Sequence, residues 1–256
     1  MDVMRNNIVR FFLITIFSFL LSSCFGQDDE VDLSKDLVVG VSPDFPPFEF
    51  MRSQKAVGFD LDFIRAIATI LDKKLIIKEY EFPALMPALK ADKINMAISG
   101  FTKTPEREEN FSFSDIYYYN VFAVLQLLDT DSITIDNIKG KIIGAQLGST
   151  MHTMLLELNA EGYEIQILAL NQNNQLVEQL KLKRVDGVLI EKSTAEAYVR
   201  NNPNMRFTFL NDIEMGYAIL LQKDSSLLPE INQAIEVLKA NGVLEKLQKK
   251  WLDEND

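Results

Sequence analysis

The chain is predicted to be an α/β protein, and two features of the sequence carry the prediction. From Leu37 onward, apolar runs of strand length alternate with stretches whose apolar residues recur at helical spacing. The turn cluster Asp129-Thr130-Asp131-Ser132 then divides this alternation into two successive sets. With 256 residues, 47% of them hydrophobic and 25% charged, the chain can bury one large domain or two lobes.

The first set opens with a strand over residues 37–41, broken by Pro43, Pro46 and Pro47. A helix over 60–71 places Leu61, Ile64, Ile67, Ala68 and Leu71 on one face. A strand over 75–80, a short helix over 84–91 and a strand over 95–98 follow. Thr104-Pro105-Glu106-Arg107 is a helix start: an N-cap threonine, proline at the first helical position, then an acid. Residues 116–128 are long, apolar and aromatic, more than one ordinary strand needs. In the second set a strand over 141–146 ends in Leu147-Gly148-Ser149-Thr150 and leads into a helix to about residue 160. Then come a strand over 164–170, a helix over 175–183, a strand over 186–190 and a helix over 193–200. Strands over 206–210 and 217–222 precede two terminal helices, 228–240 and 243–252, separated by the stop signal Asn241-Gly242.

Composition removes several function classes. Asp and Glu number 37 against 26 Lys and Arg, a net charge of −11, which opposes nucleic-acid binding and docking of a basic face on anionic lipid. One Cys and one His, His152, remove zinc fingers, Cys/His proteases, ordinary Ser-His-Asp hydrolases and disulfide scaffolds. Neither phosphate-cradling signature, G-x-x-x-x-G-K-[ST] or G-x-G-x-x-G, is present.

Residues 1–23 read as an export signal. Arg5 and Arg10 supply the positive region, and the apolar run of 11–21 is too short to cross a bilayer comfortably. Leu21-Ser22-Ser23-Cys24 then resembles a bacterial lipobox, in which small residues precede a cysteine that is lipidated on sulfur and becomes the new N-terminus. On the residues alone, a plain secretory signal with a stray buried Cys and an uncleaved anchor stay open. Residues 24–36, polar and acidic without a period, read as a tether.

Five segments in this order carry a resemblance. They are Val39-Gly40-Val41-Ser42-Pro43-Asp44-Phe45-Pro46-Pro47-Phe48-Glu49-Phe50; Gly58-Phe59-Asp60-Leu61-Asp62; the stretch from Leu85 through Ser99-Gly100-Phe101-Thr102-Lys103-Thr104-Pro105-Glu106-Arg107 into Phe113-Ser114-Asp115; Gln146-Leu147-Gly148-Ser149-Thr150; and Arg184-Val185-Asp186-Gly187-Val188-Leu189-Ile190-Glu191. Over residues 37–256 their order and spacing resemble bacterial extracellular solute-binding proteins of family 3, the amino-acid-binding branch. The resemblance implies a two-lobe periplasmic-binding-protein fold of type II, with one small ligand closed between lobes joined by two hinge strands. Residues 37–120 with 217–256 map to the first lobe and 121–216 to the second. The hinges fall near 119–121 and 215–217.

The site follows residue by residue. Arg107 can offer a planar fork to a carboxylate, and the resemblance makes it the clamp for the ligand's α-carboxylate; by pattern alone it is a helix-surface arginine facing Glu106 or Glu108. Thr102 precedes one helix start and Thr150 stands at another, where free N–H groups favour anions; Thr150 alone reads as an N-cap. Ser99 and Gly100 sit at a strand's carboxyl end, where α/β sheets place ligands. Glu191 occupies the position of the acidic residue that takes the ligand ammonium, most often aspartate in the family; alone, it belongs to the start of the next helix. Phe45 and Phe82 match the two rings that sandwich the ligand side chain, although an isolated phenylalanine is more often core. Gln146 matches a position lining the side-chain pocket. Ser42 stands where basic-amino-acid binders often carry aspartate, and Asp44 and Glu49 are candidates to balance a cationic head. Tyr117, Tyr118 and Tyr119 read as hinge packing, Trp251 as an anchor in the first lobe, and His152 as a solvated helix residue.

The expected function is therefore that of a substrate-binding lipoprotein of an ABC amino-acid importer. It captures a polar or basic L-amino acid, delivers it to a permease in the inner membrane, and needs no catalytic group, cofactor or metal. It is expected to be a monomer held by a lipid on Cys24 at the periplasmic or cell-surface face of a bacterial membrane. The alternative is an enzyme resembling cyclohexadienyl dehydratase on the same scaffold, with Glu191 as the acid. A sensor of a larger signalling protein is the third class, opposed by the lack of a kinase, a cyclase or a second membrane segment.

Overall fold

Two five-stranded sheets, each covered on both faces, organise the chain; the structure is a computed structural model that describes residues 31–253. The export signal, Cys24 and the tether up to residue 30 lie outside the described residues. Among the described residues no helix is long and apolar enough to cross a membrane.

The first sheet has the order β5-β1-β6-β13-β7. Its strands are β5 (Leu75–Glu79), β1 (Leu37–Val41), β6 (Met96–Ala97), β13 (Leu220–Gln222) and β7 (Phe111–Phe113). β1 is parallel to both β5 and β6, and β13 runs antiparallel to β6 and β7. Every residue of β1 is buried, as a central strand covered on both faces requires. Leu37, Val39 and Val41 point to one face, against α1 (Phe59–Ile70), α7 (Leu228–Ala240) and α8 (Val243–Trp251). Val38 points to the other, against α2 (Phe82–Lys90). Gly40 shares that second face, where an added Cβ would sit 2.8 Å from Leu85 and 2.6 Å from Ile94.

The second sheet repeats the plan with β10 (Gln166–Leu170), β9 (Ile142–Gln146), β11 (Gly187–Glu191), β8 (Tyr118–Leu127) and β12 (Met205–Tyr217), in that order. One face packs α4 (Thr150–Ala160) through Met151, Leu155 and Leu158. The other packs α5 (Asn173–Lys181) and α6 (Lys192–Asn201) through Leu176, Val177, Leu180 and Ala195. The two long strands β8 and β12 pair antiparallel on both sides of a register shift, and their shared ends reach the first sheet: Tyr118 pairs with Tyr217, Gly216 with Tyr119 and Met215 with Asn120. The chain therefore crosses between sheets at two adjacent, hydrogen-bonded points.

Several expectations are corrected. The strand expected over 206–210 extends as β12 from Met205 to Tyr217, with a register shift between Phe209 and Glu214, and the separate strand expected over 217–222 is shortened to β13, Leu220–Gln222. The polar run there hides a strand because its partner β8 supplies the pairing. The strand expected from 164 starts at Gln166, since Gly162 and Glu164 both take positive φ in the turn after α4. The helix expected to reach 183 stops at Lys181, with Lys183 left-handed just beyond it. A third sheet of β2 (Asp44–Phe45), β3 (Glu49–Arg52) and β4 (Lys55–Val57) was not expected at all. Packing also begins before Leu37: Leu33 lies against the α2-side core and its carbonyl accepts from Asn95 Nδ2 at 2.9 Å.

Candidate functional site

Where the carboxyl ends of the parallel strands of both sheets face each other, they line a narrow cavity. Eight of the nine proposed ligand residues line it, Thr102 being the exception, together with Ser149 and Met151, which the sequence reading did not single out.

Arg107 lies on α3 (Pro105–Asn110), whose start is fixed as expected: Thr104 Oγ1 accepts from the Arg107 amide at 3.3 Å behind Pro105. The guanidinium donates from Nη1 to the Thr102 carbonyl at 2.9 Å and from Nη2 to the Gly148 carbonyl, on the opposite wall, at 3.0 Å. It also sits 5.6 Å over the Phe101 ring. Burial draws its pKa down to about 10, against the pull of the nearby Glu106 charge, so it stays cationic at neutral pH. Thr102 thus acts through its carbonyl, which orients the arginine.

On the opposite wall the capping expectation is corrected. Ser149, not Thr150, is the N-cap of α4: its hydroxyl accepts from the His152 amide at 3.1 Å and donates to the Gln146 carbonyl at 2.7 Å. Thr150 is the first helical residue and lines the cavity at the positive end of an eleven-residue helix, its hydroxyl 3.6 Å from the Met151 sulfur. The Gly-Ser-Thr run was the available signal for Ser149. His152 does not line the cavity.

Glu191 ends β11 and is 4% exposed. Tyr217 donates a hydrogen bond to its carboxyl, yet Oε2 is buried with no partner. Burial pushes its pKa up to about 7.

Phe45 stacks on Phe48 with centroids 5.1 Å apart, and Phe82 stacks on Phe101 at 4.9 Å, so both are core residues that present one face to the cavity. Gly100 sits beneath Phe45 at φ +55, where an added Cβ would stand 2.7 Å from the ring. Ser99 lines the cavity and donates its hydroxyl proton to Glu49.

The charge partners differ from expectation. Glu49 is fully buried behind Ser99 and does not line the cavity. Asp44 is saturated: Oδ1 accepts from Ser42 at 2.7 Å, and Oδ2 from the Asn173 amide at 2.6 Å and from Gln146 Nε2 at 3.2 Å. It therefore ties the first lobe to α5 of the second. Of the three tyrosines expected to pack the hinge, Tyr117 is buried with its hydroxyl on Asp60 at 3.1 Å and Tyr118 is bonded to Ser193 at 3.0 Å, whereas Tyr119 is 57% exposed, against that expectation. Trp251 anchors the last helix through Asp62, 2.9 Å from Nε1.

A cationic fork at one end, a partnerless carboxylate oxygen at the other and two aromatic faces beside them can hold a zwitterion with an elongated side chain. This is the plan of a two-lobed binding protein. The chain belongs to the bacterial extracellular solute-binding proteins, family 3, whose pattern it matches over residues 37–254. It has the type II periplasmic-binding-protein fold of that family. It is 33% identical to the arginine-binding extracellular protein ArtP of Bacillus subtilis (strain 168), over 91% of this chain and 93% of ArtP. Among solved structures, an ancestral arginine-binding protein bound to arginine is 34% identical, with a TM-score of 0.81 over 87% of this chain and 100% of that one. An ancestral arginine-binding protein bound to glutamine is 36% identical, with a TM-score of 0.79 over 86% and 99%.

Proposed function

We propose that this protein is the substrate-binding component of an ABC amino-acid importer and closes on a cationic or amide L-amino acid, L-arginine first. The observation that carries this reading is the pair of opposed charges across the cavity, the Arg107 guanidinium and the partnerless Oε2 of Glu191. Arg107 takes the α-carboxylate, assisted by Thr150 at the start of α4. Glu191 takes the α-ammonium, and its extra methylene relative to aspartate brings the carboxyl deeper into the cavity.

The side chain lies between Phe45 and Phe82, whose faces suit a guanidinium or a planar amide. Gln146 lines that end and is itself tied to the Asp44 carboxylate at 3.2 Å. The names of the relatives support this ligand class. The lipobox at Cys24 supports a lipid anchor at the periplasmic or cell-surface side of the membrane, and the hydrogen-bonded strands β8 and β12 support hinging between residues 37–120 with 217–256 and residues 121–216. The protein works as a monomer that hands its ligand to the permease.

A thermal-shift screen against the common amino acids tests the reading. A ligand in hundredfold excess over Kd stabilises the closed form by about 2.7 kcal/mol. No response to any amino acid contradicts it. A second reading rests on the same Glu191: a carboxyl with a pKa near 7 in an enclosed cavity suits a general acid, as in a dehydratase. Incubation with prephenate or arogenate decides between the two, since product formation overturns the transport reading.

A further inference from the structure

Behind the ligand cavity, Glu49 of β3 and Asp60 of α1 are both fully buried, and neither faces a cation. Each carboxyl has one satisfied oxygen. Glu49 Oε1 accepts from the Ser99 hydroxyl, and Asp60 Oδ2 accepts from the Tyr117 hydroxyl at 3.1 Å and the Gly100 amide at 3.4 Å. The remaining oxygens, Glu49 Oε2 and Asp60 Oδ1, have no donor. The two carboxyls are neighbours: consecutive Ser99 and Gly100 donate one to each, and the Asp60 amide donates to the carbonyl of Phe48, the residue before Glu49, at 2.9 Å. Two adjacent carboxylates in a dry interior cannot both ionise, and each orphaned oxygen lacks only a proton. We propose that Glu49 and Asp60 share one proton and that the pair positions the Ser99–Gly100 strand end as an acceptor surface for a ligand ammonium.

The proton resides on Glu49, where burial and the Asp60 charge both hold it, while Asp60 keeps the negative charge under the Tyr117 and Gly100 donors. With Glu49 Oε1 acting as a carbonyl, Ser99 donates inward and turns only lone pairs to the cavity. Asp60 likewise engages the Gly100 amide. The strand end then offers acceptors and rejects a carboxylate or other acceptor. The other titratable groups around the pair are Asp44, Tyr117 and Tyr217; Asp44 reinforces retention of the proton, and both tyrosines stay neutral because burial raises them far above their usual range. The positioning half of this inference rests on the proposed function; the shared proton does not.

The test combines infrared spectroscopy with binding. At about pH 8.5, where Glu191 and ordinary carboxyls are ionised, the parent and Glu191→Gln should both show the carbonyl stretch of a protonated carboxylic acid, and Glu49→Gln should lack it. In Asp60→Asn the pH at which this band disappears should fall, because the neighbouring charge is gone. Glu49→Leu should weaken L-arginine binding by about tenfold or more, and Glu49→Gln, which still accepts from Ser99 and donates to Asp60, should recover most of that loss. A band that persists in Glu49→Gln, or an unmoved titration in Asp60→Asn, overturns the shared proton. Equal losses in Glu49→Leu and Glu49→Gln overturn the positioning role. No binding of L-arginine or L-glutamine, with the band behaving as stated, overturns the positioning role and the proposed function while the shared proton stands.

Discussion

Arg107 and Gly148 meet across the cleft: Nη2 of the first donates to the carbonyl oxygen of the second at 3.0 Å. One arm of the fork that is to hold a carboxylate thus also bridges the two walls, so clamp and closure share a residue. Replacing Arg107 with alanine should cost about 2–5 kcal/mol of binding, because the desolvated ligand carboxylate loses its partner. Arg107→Lys should weaken binding as well, since a point charge cannot reproduce the two-armed geometry. Calorimetric titration of both variants with L-arginine checks this; parental affinity in both would move Arg107 out of the site.

Glu191 makes binding pH-dependent, and the sign follows from its raised pKa of about 7. A ligand ammonium favours the carboxylate, so binding near pH 6 should release a proton and affinity should fall as the pH drops below about 7. Glu191→Gln should bind more weakly and lose that dependence. Calorimetry in buffers of different ionisation enthalpy measures the proton directly.

The ligand-free protein should respond in the opposite sense. Glu191 and Asp60, the latter near 6, are both raised by burial. Stability from these groups is fully present below their unfolded pKa values near 4 and is lost as the pH rises through about 6 to 7. Thermal midpoints at pH 5 and pH 8 should show the decline, and Glu191→Gln should reduce it.

Asp44 ties the lobes without a ligand, through the Asn173 amide and Gln146. Asp44→Ala leaves those donors and the Ser42 hydroxyl unpaired in the closed form, at a cost of about 1–3 kcal/mol. Small-angle scattering of the ligand-free variant should show a more open particle than the parent. Identical profiles would remove Asp44 as a latch.

Phe82 is both core and cavity wall, so Phe82→Ala should lower stability by about 3–5 kcal/mol and weaken cationic ligands more than small neutral ones. Chemical denaturation and competition binding separate the two effects.

Much of this was legible in the sequence because helices and central strands declare themselves by period. The β1 run and the faces of α1 and α7 needed only alternation and helical spacing. Thr104-Pro105 announced α3 and hence the position of Arg107. The three-stranded sheet around Phe45 was not legible: its strands hold two to four residues among prolines, and its hairpin turns at Ser53 and Gln54, with φ of 50 and 63, where Asn-Gly would have signalled it. Residue identity alone did not fix the direction of the carboxylates. Glu49 and Asp44 lie together in the sequence beside Phe45, yet one is buried behind Ser99 and the other is spent on α5, because tertiary partners decide where a side chain turns.

Competition calorimetry with L-arginine, L-lysine, L-glutamine, L-glutamate and L-leucine shows whether the two walls close on one cationic or amide amino acid. One site per chain is expected, tightest with L-arginine and followed by L-lysine or L-glutamine. Tightest binding to L-leucine or L-glutamate, or no binding of any of the five, would contradict it.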